Sequence, residues 1–578
     1  MAEEFQVTGR NAVALFSLKV YRGDGMALLA MSWKKGTPPK DFVGFAIEYR
    51  EPGGYRYFSL KNRLAFPAKS GEVDPDRYST MRSPIQKFRW IHFPRNADLP
   101  GEFVYRVIPV FMNSYDELSY GESQQAAIEL RRETYPGLLN VAYTRGFVSS
   151  QAFVERFAPD PDSLSKLVPA KADDGLIFVP SHAKATEALA WMGFEARESI
   201  MELLEDALAD NRAEVRVVAY DLCDPGILSI LKRLGSRLKI IIDDSAHHGK
   251  PESAESQAAG ILALSAGTDH VKRHHMSGLQ HNKTIIVDGP AVQAVVCGST
   301  NFTWRGFFVQ SNNALILRGP NAVAPFLAAF EDYWNHNSVK GFGRTLSATW
   351  HDLQLGEIDA KVTFSPHSGE NRVLKTVADD IATTKSTLFY SLAFLYQTPG
   401  LIQDAVFSVT SRNKRFVYGI SDRKVSGKLS GIDLQRPNGN VSPVRPAALT
   451  GNLPEPFKSE PTGRSGGVGN CMHHKFIVID FNKPSARVYL GSYNFSDPAD
   501  TGNGENLLLV RDRRVAVSYA IEALRMFDHY HFRVVQEVAL NARKSLSLRK
   551  PPRKDGELPW WDEYYRDERK IYDRELFS

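Results

Sequence analysis

His281-Asn282-Lys283-Thr284-Ile285-Ile286-Val287-Asp288 and His473-His474-Lys475-Phe476-Ile477-Val478-Ile479-Asp480 set a histidine, a lysine and an aspartate at the same offsets. Each segment then passes through a second apolar stretch into a Gly-Ser-x-Asn-Phe turn, Gly298-Ser299-Thr300-Asn301-Phe302 and Gly491-Ser492-Tyr493-Asn494-Phe495. At average composition the three polar residues meet at these offsets by chance with odds on the order of 10⁻⁴ per starting position. One copy would fit a hydrogen-bonded core histidine beside a surface lysine just as well. Two copies, each with the same turn behind it, indicate an internal duplication whose halves carry the same polar chemistry.

The apolar runs predict the local geometry. Thr284 to Val287 and Phe476 to Ile479 are unbroken runs of β-branched and aromatic residues, as in buried strands. Residues i and i+2 of a strand share a face, so His281 and Lys283 point together, as do His473 and Lys475. Asn282 and His474 point the opposite way. Val292 to Cys297 and Arg487 to Leu490 read as adjacent strands, which puts each Gly-Ser-x-Asn turn near a strand edge.

These residue types suit a phosphodiester. Its anionic charge repels nucleophiles, and Lys283, Lys475, Asn301 and Asn494 can offset that charge, with Ser299 and Ser492 as further supports. Histidine titrates near neutrality, so one neutral imidazole can attack phosphorus while a protonated one serves the leaving oxygen.

The paired H-x-K-x4-D motifs resemble those of the phospholipase D superfamily, over roughly residues 170 to 545. The resemblance implies two α/β halves with pseudo-two-fold symmetry, and one active site where the motifs meet. It also implies a metal-free double displacement through a phosphohistidine. By analogy His281 is the nucleophile and His473 the acid and base, although the sequence does not order the two. Asp288 and Asp480 are read as site residues that orient imidazole or pair with a charge; capping a turn is the competing reading for Asp288, which precedes Gly289-Pro290. Glu505 in Asn503-Gly504-Glu505-Asn506 resembles a family carboxylate near the site, with Asn312 at the corresponding position of the first half. A surface position at a strand start is the competing reading for Glu505.

Upstream of each motif the pattern strand, Pro-Gly, helix, strand recurs. Glu214 to Tyr220, Pro225-Gly226, Ile227 to Leu234 and Leu238 to Asp243 form one series. Thr387 to Leu395, Pro399-Gly400, Leu401 to Val409 and Arg415 to Ile420 form the other. Both predict a βαβ unit, with helices in front at Ala185 to Leu208 and Ser368 to Ala382. The second copy has a Gly-, Pro- and Ser-rich excess from Ser421 to Gly469, long enough to be mobile or functional.

A catalytic metal is disfavoured. His247-His248, His274-His275 and His473-His474 are adjacent pairs whose members face apart on a strand, and no Cys-x-x-Cys or H-E-x-x-H spacing exists. No cofactor is expected. Three cysteines, Cys223, Cys297 and Cys471, do not make a disulfide framework. Met1-Ala2-Glu3-Glu4 lacks the opening of a signal peptide, and no apolar run reaches bilayer length, so the expectation is a cytoplasmic protein.

Residues 1 to 132 alternate in short runs: Val13 to Tyr21, Met26 to Trp33, Phe42 to Tyr49, Tyr55 to Leu60, Phe88 to Phe93, Phe103 to Phe111 and Gln124 to Leu130. This predicts an all-β sandwich, and the runs around Trp33, Gly44 to Tyr49 and Tyr105 to Val107 resemble a fibronectin type III domain. Ala158 to Asp174 reads as connecting structure. The expected order is therefore a sandwich over 1–132, a first half over 133–345, a second over 346–545 and a tail over 546–578. Trp560-Trp561 and Tyr564-Tyr565 predict that the tail docks on the body; covering the active-site groove is its competing role.

For the substrate, two motifs in one chain favour lipid-active members of the resembled superfamily, hence hydrolysis or transphosphatidylation of phospholipid headgroups. The alternative is a metal-independent endonuclease on DNA or RNA. The net charge of +5 is modest, but Lys272-Arg273, Arg412 to Arg415 and Arg423-Lys424 form local clusters suited to nucleic-acid phosphates or peripheral binding at an anionic surface. A catalytically silent scaffold is disfavoured because both His-Lys pairs are intact.

Overall fold

The computed structural model describes residues 5–67, 76–94, 96–130, 133–146, 153, 156–157, 163, 165–395, 398–412, 415–421, 433–435, 441–443, 472–541 and 546–578. Outside them lie most of the Ser421 to Gly469 stretch, Cys471, Arg423-Lys424, the middle of the Arg412 to Arg415 cluster and part of the Ala158 to Asp174 connection. The chain divides into two compact units, Met1–Arg132 with Phe532–Ser578, and Glu133–His531.

In the first unit, Gln6–Thr8, Phe16–Gly23, Met26–Trp33 and Arg89–His92 form one antiparallel sheet. Phe58–Ser59, Phe42–Arg50, Glu102–Met112 and Leu118–Tyr120 form the other, with Gln124–Glu129 also paired to Glu102–Met112. Alternation along each strand sends one face inward. Phe16, Leu18 and Val20 of one sheet and Phe45, Ile47 and Tyr105 of the other are fully buried in a shared core. The C-terminal aromatics complete that core. Trp560 stacks on Phe88 with centroids 5.4 Å apart and its indole N–H donates to the Phe42 carbonyl at 3.0 Å; Trp561 donates to the Pro39 carbonyl at 3.1 Å.

The second unit contains two seven-stranded mixed sheets. Across the first run Leu139–Tyr143, Asn313–Arg318, Gln293–Gly298, Lys283–Asp288, Glu214–Ala219, Leu238–Ile242 and Val271–Arg273. Across the second run His351–Asp352, Asp359–Ser365, Glu505–Arg511, Arg487–Gly491, Lys475–Ile479, Thr387–Leu392 and Phe416–Ile420. The order repeats: the strand that follows each Gly-Ser-x-Asn turn, the strand before the turn, the motif strand, and the parallel βαβ pair. Both motif strands run antiparallel to the first βαβ strand, and Lys283 faces Ala219 as Lys475 faces Leu392. Both lysines therefore sit at the carboxyl ends of parallel-paired strands, the edge where α/β sheets bind ligands.

Local chemistry accounts for these elements. The motif strands are buried along almost their whole length, as their unbroken apolar runs require. Asp224 caps helix Pro225–Leu234 by accepting from the Ile227 N–H at 2.9 Å, with Pro225 in the first turn. Helices Ala185–Ala209, Pro225–Leu234 and Ala254–Ala266 contribute to one core with the first sheet. Among the described residues no helix is long and apolar enough to cross a membrane.

The turn glycines are fixed by close backbone approach. Gly298 has φ 126° and Gly491 φ 142°, and a Cβ at Gly491 would lie 2.3 Å from the Asn506 carbonyl oxygen. Gly491→Ala should therefore cost about 2–4 kcal/mol, combining backbone strain with displacement of the neighbouring strand. A urea midpoint that falls accordingly at unchanged slope checks this.

Candidate active site

The two motifs meet because the segments flanking them interlock. Gln280, just before His281, bridges to Gly504, just before Glu505, and the Gly504 N–H donates to the Leu279 carbonyl at 2.8 Å. The second copy does the reverse: Met472 bridges to Ser311, and the His473 N–H donates to the Ser311 carbonyl at 3.1 Å. Each histidine is thereby set against the residue that follows the other half's turn.

His473 is 5 % exposed, and its Nδ1 lies 2.9 Å from Asn312 Oδ1 and 3.1 Å from the Ser299 carbonyl. Both partners are acceptors, so Nδ1 carries the proton and Nε2 presents its lone pair. Lys475 Nζ donates to that Nε2 at 3.2 Å and to the His473 carbonyl at 2.9 Å. Asn312 is itself locked: its Nδ2 donates to the Gly306 carbonyl at 2.9 Å, and Ser299 Oγ donates to its Oδ1 at 2.9 Å.

His281 is 3 % exposed and faces a carboxylate instead. Its Nδ1 is 3.3 Å from Glu505 Oε1, close but not aligned as a hydrogen bond, and has no hydrogen-bond partner among the described residues. Glu505 is completely buried; Asn503 Nδ2 donates to its Oε1 at 2.8 Å and the Asn494 N–H to its Oε2 at 3.1 Å. Lys283 Nζ donates to the His281 carbonyl at 2.6 Å and lies 4.6 Å from the centre of the Tyr220 ring, which also packs edge-to-face with the His281 imidazole.

Burial governs the electrostatics. It holds His281 and His473 well below the ordinary imidazole range, with the two lysines adding to the effect at both. Burial brings Lys283 down to about 7 and Lys475 well below its ordinary value, the latter helped by Lys283. Burial also lifts Glu505 to about 7, against the opposing pull of Asn503 and both lysines. The result is a buried group of two lysine amines and one carboxyl, where an added anion would favour the charged form of both lysines.

The intervening motif residues point away, as the alternation predicts. Asn282 Oδ1 accepts from Asn506 Nδ2 at 2.8 Å, while His474 lies 3.1 Å from Asn313 Nδ2 and 2.8 Å from Glu522 Oε1.

Residues 193–334 and 454–527 match a family model described as cardiolipin synthase, PLD-like domain. Over these two segments the chain is similar to a phospholipase D-like domain. Over 52 residues it is 44% identical to a phospholipase D from Rickettsia prowazekii (strain Madrid E), covering 9% of this chain and 23% of that protein. The match to a phospholipase D from Rickettsia felis is 42% over 52 residues, 9% of this chain and 24% of that one. The chain thus spans about a quarter of the length of these curated relatives. Among solved structures, phosphatidylserine synthase from Haemophilus influenzae Rd KW20 is similar at 13% identity and TM-score 0.39, over 66% of this chain and 93% of that one. Nuc, a phospholipase D family member from Salmonella typhimurium, is similar at 29% identity and TM-score 0.19, over 23% of this chain and 86% of that one.

Several expected site residues stand away from the imidazoles or, as Ser299 does at His473, serve through the backbone or a neighbour. Asp288 and Asp480 lie at the far ends of their motif strands, on the order of 20 Å from the imidazoles at about 3.3 Å per residue. Asp288 accepts from Gln293 Nε2 at 2.8 Å, and Asp480 accepts the N–H groups of Lys385, Ser386 and Thr387. They tie strand ends together and orient no imidazole. Ser299 and Ser492 are fully buried and brace the next strand, accepting the Asn313 N–H at 3.1 Å and the Asn506 N–H at 3.0 Å. The Asn301 amide is turned to Asp221, with Nδ2 2.5 Å from Oδ2. Asn494 serves through its backbone N–H on Glu505. In the Lys272-Arg273 cluster, Arg273 is occupied by Ser256 Oγ at 2.8 Å and the Asp243 carbonyl at 3.0 Å, and Lys272 donates to the Trp334 carbonyl at 2.5 Å. It is a brace between elements.

Tyr220 and Asn503 were not legible as site residues. Tyr220 directly follows the first βαβ strand and Asn503 precedes Glu505 by two; position relative to those landmarks is the one local signal either carries.

Proposed function

We propose that this chain is a phosphodiesterase acting by double displacement, with His281 as nucleophile and His473 as acid and base. The crossed pairing carries the reading: a carboxylate stands at Nδ1 of His281 and an amide oxygen at Nδ1 of His473. When His281 Nε2 attacks phosphorus, the imidazole becomes cationic, and Glu505 offsets that charge. His473, beside Lys475 and with only neutral acceptors at Nδ1, makes a strong acid once an anion lets it take a proton. It gives the proton at Nε2 to the leaving alcohol oxygen as the P–O bond breaks. Water then attacks the phosphohistidine, surrenders a proton to His473 Nε2, and the P–N bond breaks. Lys283 and Lys475 offset the charge on the non-bridging oxygens throughout. We take the two halves to be related by an approximate two-fold rotation, the N-terminal sandwich to be fibronectin type III-like, and the protein to work in the cytoplasm.

Phospholipid headgroups are the proposed substrate, supported by the presence of both motifs in one chain. Purified full-length protein should release choline or ethanolamine from phosphatidylcholine or phosphatidylethanolamine vesicles in EDTA. Cleavage of single- or double-stranded DNA or RNA under the same conditions, steeply weakened by salt and without headgroup release, would overturn the lipid assignment.

The pH profile should be bell-shaped in kcat/KM, which reports the free enzyme. Below about 7 Glu505 takes a proton and no longer offsets the cationic His281; above about 7 Lys283 loses its proton and an anionic substrate loses a counter-charge. Glu505→Gln should remove the acid limb, leaving only the alkaline fall.

A further inference from the structure

Next to the motif-1 histidine stands a second group of titratable side chains that the phosphorus chemistry does not use. Asp221 follows the strand Glu214–Ala219, His248 lies in the turn Ala246–Gly249, and Glu255 opens helix Ala254–Ala266. One ligand atom from each lies within 4.8 Å of the others. His248 Nε2 is 2.9 Å from Asp221 Oδ1, and Nδ1 is 2.8 Å from Asp243 Oδ2. Asp243 is fully buried and fixed by the Gln280 N–H at 2.7 Å and the Ser245 N–H at 3.0 Å. A carboxylate anchored behind Nδ1 turns Nε2 toward Asp221 and Glu255, the arrangement that orients histidine ligands.

Two further observations point to a cation there. Glu255 is 5 % exposed, stands beside a second carboxylate, and receives a long 3.3 Å contact from the Leu222 N–H. Asn301 is also 5 % exposed; its amide nitrogen donates to Asp221, yet its carbonyl oxygen has no hydrogen-bond partner among the described residues. Half a turn of that amide would exchange its ends and set the oxygen beside Asp221 as a fourth donor.

We propose that Asp221, His248 and Glu255 bind one divalent transition-metal ion, with Asn301 as a fourth donor and Asp243 orienting His248. One imidazole with carboxylate and amide oxygens suits Zn²⁺ or Mn²⁺. The ion does not touch the reacting phosphorus. Its ligands come from three segments, and Tyr220 packs its ring against both His248 (4.8 Å) and His281 (4.7 Å), so the ion braces the wall behind His281.

The test uses the full-length protein stripped with chelator, then dialysed separately against ZnCl₂ and MnCl₂ and assayed for bound metal. About one ion per chain is expected for at least one of the two, with a saturable rise in Tm. Glu255→Gln and His248→Ala should each lose the ion, whereas His281→Ala should keep it. Echo modulation from a coordinated imidazole nitrogen should appear on any Mn²⁺ the wild type binds. Retention below about 0.1 ion per chain for both metals would overturn the proposal and leave His248 as an imidazolium held by two carboxylates. Undiminished retention in both ligand variants would overturn it equally. Should a variant not fold, the wild type decides alone: failure to retain either metal, or Mn²⁺ retained without the nitrogen signal, sinks the idea. None of these readouts depends on turnover, so failure here leaves the phosphodiesterase reading standing, and the reverse.

Discussion

His281→Ala and His473→Ala should each lower turnover of a phosphodiester by about 10⁴-fold or more, with the fold retained. The two losses should differ in kind. Without His281 no P–N bond forms, so no covalent intermediate appears even with an activated p-nitrophenyl leaving group. Without His473 that leaving group needs no acid, so attack proceeds, while the water that would release the phosphohistidine lacks its base. A burst of p-nitrophenol with phosphate retained on the protein is then expected from His473→Ala alone. Quenched-flow measurement with radiolabelled diester checks this. A burst from His281→Ala alone would exchange the two roles, and full turnover in either variant would end the shared-site mechanism. Each substitution empties a buried position and, at 473, leaves the Asn312 and Ser299 acceptors without their imidazole donor, so a loss of about 1–3 kcal/mol is expected beside the loss of turnover.

Lys475→Met should move activity and stability in opposite directions. Lys475 is 1 % exposed, lies near Lys283, and among the described residues finds the His473 carbonyl and Nε2 as its acceptors. In the free protein burial and Lys283 oppose its charge, with Glu505 and Asp221 favouring it, so holding the ammonium there is costly. Methionine fills similar volume without that cost, so a gain of about 1–3 kcal/mol is expected. The same ammonium offsets charge on the phosphorane-like oxygens, and its loss should reduce kcat/KM by about 10²–10³-fold. Thermal denaturation and steady-state kinetics on one preparation test both signs. A variant that loses stability along with activity would indicate that Lys475 serves as a scaffold group.

Strand and helix positions were largely legible because they depend on local pattern. The apolar runs after His281 and His473, the Pro-Gly breaks and the helix Ala185–Ala209 lie close to where alternation and punctuation put them. The shared direction of histidine and lysine, and the opposite direction of Asn282 and His474, follow from strand periodicity. The correspondence of Asn312 with Glu505 was also readable, since both follow a Gly-Ser-x-Asn-Phe turn at a similar distance. What each of those two residues touches was not.

The duplicated chemistry and the two His-Lys pairs were thus written into the chain as short-range spacing. Which partner each imidazole meets was settled only in three dimensions. Asn312 reaches His473 across 161 residues, and Asn506 reaches Asn282 across 224, through strand edges that interlock between the two sheets. Asp288 and Asp480 show the converse: neighbours in sequence, they are carried away from the site by the rise of the strand. Backbone periodicity decides direction over a few residues, whereas the crossed placement of Glu505 and Asn312, and so the division of labour between the histidines, depends on how two buried sheets dock.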